Sequence, residues 1–242
     1  MADMWSLIGM QNEPFPSVLH AEHLSLVWEA IAKNGSGCDY ISERILRDAT
    51  VEGRKLCYGP RKYNSLFLIS VESLSPESAR KLLEFVRSGG RVFCLETVPS
   101  KSTGWCNHER NDGEVRIIVE KMKAYPHRFI YLEKPENDYI GWYRTVQERY
   151  RIDPWIRIDT PDPFLMQVRY SADDGSEYIF MINSHLHESR ATRVHFSAGL
   201  TRRHHCSVWN PETGERKRVN LDPDGSIPLD LGPADSLLFV FD

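Results

Sequence analysis

The chain has 242 residues, 41% of them hydrophobic and 26% charged, with a formal net charge of −4 at pH 7. These proportions fit a folded chain with one large or two modest cores and speak against disorder. Basic residues are scattered, which argues against an extended nucleic-acid footprint, and no apolar run approaches the length needed to span a membrane.

The opening Met1 to Met10 has neither the basic start nor the clean apolar run of a signal peptide. The segment MADMWSLIGMQNEPFPS is also too poor in Val, Ile and Leu for the buried strand with which a flavodoxin-like domain opens. Either Trp5 to Met10 is an irregular substitute or the first strand lies upstream, and the second reading fits the composition better. His20 to Lys33 places Leu24, Val27, Trp28 and Ile31 on one helical face and stops at Asn34-Gly35, after which Cys38 to Ile41 is expected to extend.

Asn64 to Pro99 is the most informative stretch. Leu66 to Ile69 is a continuous apolar run, as expected of a parallel strand buried on both faces. Ser75 caps a helix with Pro76 at its first position, Ala79, Leu82, Leu83 and Val86 recur at helical spacing, and Gly89-Gly90 ends it before Arg91 to Leu95 extends again. A polar loop, Ser100 to Asp112, is then expected, followed by a helix over Glu114 to Ala124, a strand over Phe129 to Leu132 and a helix over Asp138 to Tyr150. Residues 1–150 thus read as an α/β domain built on an open parallel sheet, flavodoxin-like or class I amidotransferase-like.

From Ile152 onward no good helix is visible. Short runs separated by Gly, Pro, Asn and Asp predict strands at Phe164 to Tyr170, Tyr178 to Ile182, Thr192 to Phe196, Cys206 to Trp209, Arg216 to Leu221, Ser226 to Leu229 and Leu237 to Phe241. Residues 151–242 read as an antiparallel β-sandwich, with WNPETGERKRV supplying a hairpin.

Open parallel sheets bind ligands just beyond the carboxyl ends of their strands, here Ser70 to Ser73 and Glu96 to Ser100. Glu72 and Glu96 follow the two strands and are the candidate crevice carboxylates; an acid and a base or nucleophile flanking a glycosidic bond would stand about 5 to 9.5 Å apart. Trp105, like Trp5 and Phe15, has the character of a sugar-stacking or domain-contact group, although packing on its own domain is the commoner role for such rings. Cys94 lies inside a strand with no adjacent Gly to form a strained nucleophile elbow, so an amidotransferase reaction is disfavoured and the thiol is expected in the core. The five cysteines are widely spaced and form no zinc-like pair, and His185 with His187 lacks a third ligand, so neither a metal nor another cofactor is expected. The short basic cluster Arg202 to His205 reads as a solvated turn or strand end.

Several segments in this order, MQNEPFP with VWEAIAKNG, DYISERIL, the NSLFLIS to SGGRVFCLETVP unit, EYIFMINS, and WNPETG before DSLLFVF, resemble the later part of large bacterial glycoside hydrolases. The resemblance is to α-L-rhamnosidases and the β-galactosidase group. It implies a non-catalytic carboxyl-terminal portion, in which an amidotransferase-like or trimerisation-like α/β domain and a β-sandwich follow a catalytic barrel. No catalytic residue carries over. The implied partners are the parent's catalytic domain, a poly- or oligosaccharide and further copies of the chain. A parent acting on polysaccharide would be periplasmic or extracellular, exported by a signal outside this chain. The rival readings are a small hydrolase using Glu72 and Glu96, and a carbohydrate-binding module acting through the sandwich.

Overall fold

The structure is a computed structural model that describes residues 20–202 and 205–242, with side chains from residue 24 onward. Trp5, Phe15 and two members of the basic cluster lie outside the described residues. The fold is mixed α/β: a small parallel sheet with helices, then antiparallel sheets. It comprises two compact units, one built on Tyr40–Glu136 and the other on Ser25–Asp39 with Asn137–Asp242. The division therefore assigns the end of helix α1 (His20–Lys33) and the whole of a later helix, Tyr139–Tyr150, to the unit that holds the antiparallel strands.

In the first unit, helix α2 (Glu43–Asp48) is capped by Ser42, whose hydroxyl accepts from the Ile45 N–H at 3.3 Å. The extension expected at Cys38 to Ile41 is not a strand; that segment leads into this cap. A three-stranded antiparallel sheet follows, β1 (Thr50–Glu52), β2 (Lys55–Tyr58) and β3 (Arg61–Tyr63), joined by the two-residue turns Gly53-Arg54 and Gly59-Pro60. Both glycines have positive φ, the requirement at the first position of a type II′ hairpin turn.

Strands β4 (Ser65–Ile69), β5 (Arg91–Leu95) and β6 (Phe129–Leu132) then form the parallel sheet in the order β4-β5-β6. Helix α3 (Pro76–Ser88) joins the first two, with Ser75 as its cap and Gly89 in the left-handed region at its end. Helix α4 (His108–Lys123) joins the second pair. Leu82, Phe85 and Val86 of α3 and Val115, Ile118 and Met122 of α4 share one core with Leu68, Val92, Cys94 and Phe129, so both crossovers cover the same sheet face. This follows from right-handed crossovers in a sheet that grows in one direction. On the opposite face Phe67 and Phe93, neighbours in register, stack at 4.6 Å. Helix α4 begins six residues before the expected Glu114. Its first turns carry Asn111, Asp112 and Gly113, which read as a loop from propensity alone. In the structure Asp112 is engaged instead by Ser102, whose N–H and hydroxyl both donate to it at 2.6 Å.

In the second unit, helix α5 (Tyr139–Tyr150) is capped by the Asp138 carboxylate. One antiparallel sheet has the order β13-β10-β7, from Ser226–Leu231 (β13), Arg190–Phe196 (β10) and Ile156–Ile158 (β7). The other has the order β12-β11-β14-β9-β8, from Arg216–Arg218 (β12), Cys206–Trp209 (β11), Ser236–Phe241 (β14), Glu177–Asn183 (β9) and Leu165–Ser171 (β8). Ile156, Ile158, Val194 and Leu231 of the first sheet and Leu165, Ile179, Met181 and Phe239 of the second belong to one core, as in a sandwich. Strand β7 and the single helical turn α6 (Ala198–Thr201) were not expected from the sequence; three residues and four residues are too short to set up a period.

The turn after α1 is tied into this unit by polar side chains. Asn34 Nδ2 donates to the carbonyls of Ala30 and Ile140, both at 2.9 Å. Gln147 Nε2 donates to Asn34 O at 3.3 Å and Ser36 Oγ at 3.1 Å, and Gln167 Nε2 to Ala32 O at 3.2 Å and Ser36 O at 3.1 Å. Gly35, at φ +82°, lies against the Ile156 backbone so closely that a Cβ would overlap the Ile156 carbonyl oxygen.

Candidate functional site

The carboxyl ends of β4 and β5 form the first candidate. Ile69 and Leu95 are the last registered pair, and the next residue on each strand, Ser70 and Glu96, takes a left-handed conformation (φ 52° and 68°) without being glycine. Such a residue costs about 1–2 kcal/mol, and two side by side mark where both chains turn sharply out of the sheet. Ser70 Oγ donates to Glu96 Oε2 at 2.7 Å, while the Tyr131 hydroxyl donates to the Glu96 carbonyl at 3.3 Å. Beyond this point the two loops run side by side: Ser100 N–H and Lys101 N–H both donate to Glu72 O, and Leu74 N–H donates to Lys101 O.

The structure brings Glu72 and Glu96 to the same end of the sheet but gives each its own partner. Glu96 is held by Ser70, and Glu72 by Lys101 Nζ at 3.3 Å, with both carboxylates exposed. Trp105 stands 90% exposed before α4, edge-on to His108 at 5.9 Å. The amino terminus of α3, which would suit an anion at this end of the sheet, is already filled by the chain. Glu43 Oε2 accepts from Ser75 N–H at 3.0 Å and from the hydroxyls of Ser75 and Ser78, each at 2.6 Å. Glu43 was not singled out in the sequence, because its partners lie 32 and 35 residues away.

Cys94 lies in β5 among the core residues beneath α3 and α4, and burial pushes its thiol up to about 12. The protonated, enclosed sulfur is a core group. His185 and His187 lie just after β9 in a loop rather than sharing a strand face; His185 Nδ1 accepts from the His187 and Glu188 N–H groups. Among the described residues no group of three or more His, Cys, Asp or Glu side chains could hold a metal ion. No helix among them is long and apolar enough to cross a membrane.

The second unit carries an open groove of about 540 Å³, lined by Trp155, Gly175, Glu177, Gly199, Leu200 and Arg202. The Arg169 guanidinium lies 3.6 Å from the centre of the Trp155 ring and pairs with Glu177 through two bonds, Nε to Oε2 at 2.9 Å and Nη2 to Oε1 at 2.7 Å. Ser171 Oγ adds a third bond to Glu177 at 2.8 Å. Glu177 pairs with Ser171 across the β8–β9 ladder, which puts Arg169 diagonal to it on one face. The sequence shows this arrangement only once the hairpin register is known, since Arg169 and Glu177 flank the Asp173-Asp174-Gly175-Ser176 turn.

Comparison with known proteins gives a likeness of fold. The chain superposes on Gan42B, a GH42 β-galactosidase, over 98% of its own length and 38% of that chain, with 12% identity and a TM-score of 0.57. A catalytic mutant of Gan42B from G. stearothermophilus gives the same values. An exo-carrageenase GH42 from Bacteroides ovatus aligns with 94% of this chain and 27% of its own, at 14% identity and a TM-score of 0.49. The chain thus spans well under half the length of these proteins. No family profile and no curated protein matches its sequence. The likeness lies on the β-galactosidase side of the sequence resemblance, and the rhamnosidase side is not supported.

Proposed function

We propose that this chain is an accessory, non-catalytic region of a carbohydrate-active glycoside hydrolase of the β-galactosidase type. In this reading the first unit is a flavodoxin-like or class I amidotransferase-like domain. The region braces the catalytic domain of its parent, offers the strand-end loops bearing Glu72, Glu96 and Trp105 to the substrate cleft, and contributes contacts between copies. The substrate partner is a poly- or oligosaccharide. The observation that carries the reading is the extent of the match: nearly the whole chain follows the fold of little more than a third of a β-galactosidase chain.

The strand-end geometry supports the non-catalytic part of the reading. A retaining or inverting pair needs two carboxylates facing one bond, one of them kept protonated by a desolvating pocket. Glu72 and Glu96 are instead exposed and bound to different partners, Lys101 and Ser70.

The test compares residues 1–242 with the same chain extended upstream, on a panel of chromogenic glycosides including β-galactoside and α-L-rhamnoside. The expected result is turnover of the β-galactoside by the extended protein only. Turnover by residues 1–242 that Glu96→Gln abolishes would overturn the reading in favour of a self-sufficient hydrolase.

A further inference from the structure

The groove on the second unit combines an aromatic ring, a fixed ion pair and bare backbone. We propose that it is a saccharide subsite that takes a neutral pyranose unit of an oligosaccharide. The choice of ligand class rests on the glycoside-hydrolase reading; the placement of the site rests on geometry.

Trp155 remains 41% exposed although its neighbour Ile156 is fully buried in the sandwich core. Its ring is not free to reorient, because the Arg169 guanidinium stacks on it and is itself clamped by Glu177. Little ordering cost is left for a ligand to meet. Two glycines border the space beside the ring: a Cβ on Gly199 would make ordinary contact with Trp155 Cζ3 at 3.5 Å, and a Cβ on Gly175 would meet nothing within 4 Å. The groove, about 540 Å³ and open to solvent, has room for a pyranose unit.

The polar groups match a sugar's needs. A pyranose presents an apolar C–H face, suited to an indole, and a rim of hydroxyls that each donate and accept. Arg169 and Ser171 take three of the roughly four acceptor positions of the Glu177 carboxylate, leaving one for a hydroxyl. Arg202 at the rim supplies donors. The ligand is neutral because the Arg169 charge is already balanced by Glu177, and Arg202 is exposed, where an ion pair contributes little.

The experiment is an NMR titration of the 242-residue chain with lactose and with β-1,4-galactobiose, reading the indole N–H signals of its six tryptophans. Trp155→Phe identifies the Trp155 signal by its loss. The expected result is a saturable shift of that signal, abolished by Gly199→Leu, which sets a bulky side chain in the groove wall beside Trp155, while the other indole signals stay in place. Arg202→Gln, on the exposed rim, should weaken binding about threefold, the effect of one lost hydrogen bond. No shift up to about 10 mM sugar, where a millimolar site would be mostly filled, would overturn the proposal. So would a shift that survives Gly199→Leu. If Gly199→Leu disturbs the other indoles, Arg202→Gln decides, and unchanged affinity overturns the placement. The two readings fail separately: absent binding removes the subsite and leaves the accessory role, whereas turnover by residues 1–242 removes the accessory role and leaves the subsite.

Discussion

In the parallel unit the buried polar side chains described are Ser75 and Ser78, both at the start of α3; in the antiparallel unit Lys33, Asn34, Ser36, Gln147, Asn183, Ser207 and Ser226 are buried within the fold. The parallel unit stacks continuous apolar strands under two amphipathic helices, so its polar groups collect at element ends and are met by caps. The antiparallel unit has to secure turns, such as Asn34 to Ser36 and the segment after Asn183, that its strand ladders leave unpaired. Side-chain amides do this by reaching backbone carbonyls far away in sequence, up to 135 residues in the case of Gln167. Each such amide serves at least two groups at once, so its loss exposes more than one defect together. The caps of the parallel unit serve one helix end each.

The largest effect is expected at Gly35. A Cβ there is opposed by backbone, not by a side chain that could swing away, and the φ of +82° adds its own cost. Gly35→Ala should therefore destabilise by more than about 3 kcal/mol, read as a fall in the urea midpoint at pH 7. An effect below about 1 kcal/mol would mean that the Asn34 to Ser36 turn can leave the Ile156 backbone without consequence. Asn183 comes next. Its Nδ2 donates to Glu188 O at 2.8 Å and Gly232 O at 2.7 Å, and its Oδ1 accepts from the His185 N–H at 3.0 Å. Asn183→Ala should cost about 2–4 kcal/mol. In the parallel unit, Glu43→Ala removes the carboxylate from the start of α3, but Ser75 Oγ still accepts from the Ser78 N–H, so about 1–2 kcal/mol is expected. Equal losses for Asn183→Ala and Glu43→Ala would contradict the contrast between an amide that ties separate segments together and a carboxylate that serves one helix end.

The same contrast explains what was legible in the sequence. The parallel unit announces itself because its signals are local: Ser75-Pro76, the apolar spacing from Ala79 to Val86, and Gly89 together delimit α3, and β5 was expected over Arg91 to Leu95, the strand found. Alternation likewise located most strands of the antiparallel sheets in the second unit, to within one or two residues at most ends. The three strands from Thr50 to Tyr63 were not read, although Gly53 and Gly59-Pro60 are turn signals, because strands of three and four residues carry too little pattern. At the candidate site, the loops were predictable from the parallel topology, but the disposition of the carboxylates was not. That Glu96 meets Ser70, that Glu72 meets Lys101 and that Glu43 occupies the helix terminus depends on contacts across 26 to 35 residues. Trp155, Arg169 and Glu177 were missed for the related reason that strand register, not spacing, brings them together.

The smallest expected effects distinguish the two units by acid. Asp112 in the parallel unit is held below the usual carboxylate range by the Ser102 hydroxyl and N–H, and Asp224 in the antiparallel unit by the Ser226 hydroxyl and N–H, with a lesser contribution from His195. A carboxyl lowered in the folded state stabilises the protein above its unfolded pKa, and this contribution is lost as pH falls through the folded value. The window therefore opens below about pH 4. Asp112→Asn and Asp224→Asn should each lower the urea midpoint slightly at pH 7, and each variant should converge on the parent chain as the pH drops below about 4. Asp112 has lesser contributions from Arg116 and His108, whereas Asp224 faces His195, whose Nδ1 lies 3.4 Å from Asp224 Oδ2 and whose Nε2 lies 3.0 Å from Asp159 Oδ1. Arg157 Nη2 also approaches His195 Nε2, at 2.9 Å, so this ring is shared among three charged neighbours. In a His195→Gln background the effect of Asp224→Asn should shrink, while that of Asp112→Asn should not change. If both shrink equally, the histidine acts on overall stability and not through Asp224; if neither does, the Ser226 donors alone set the acid response of the turn.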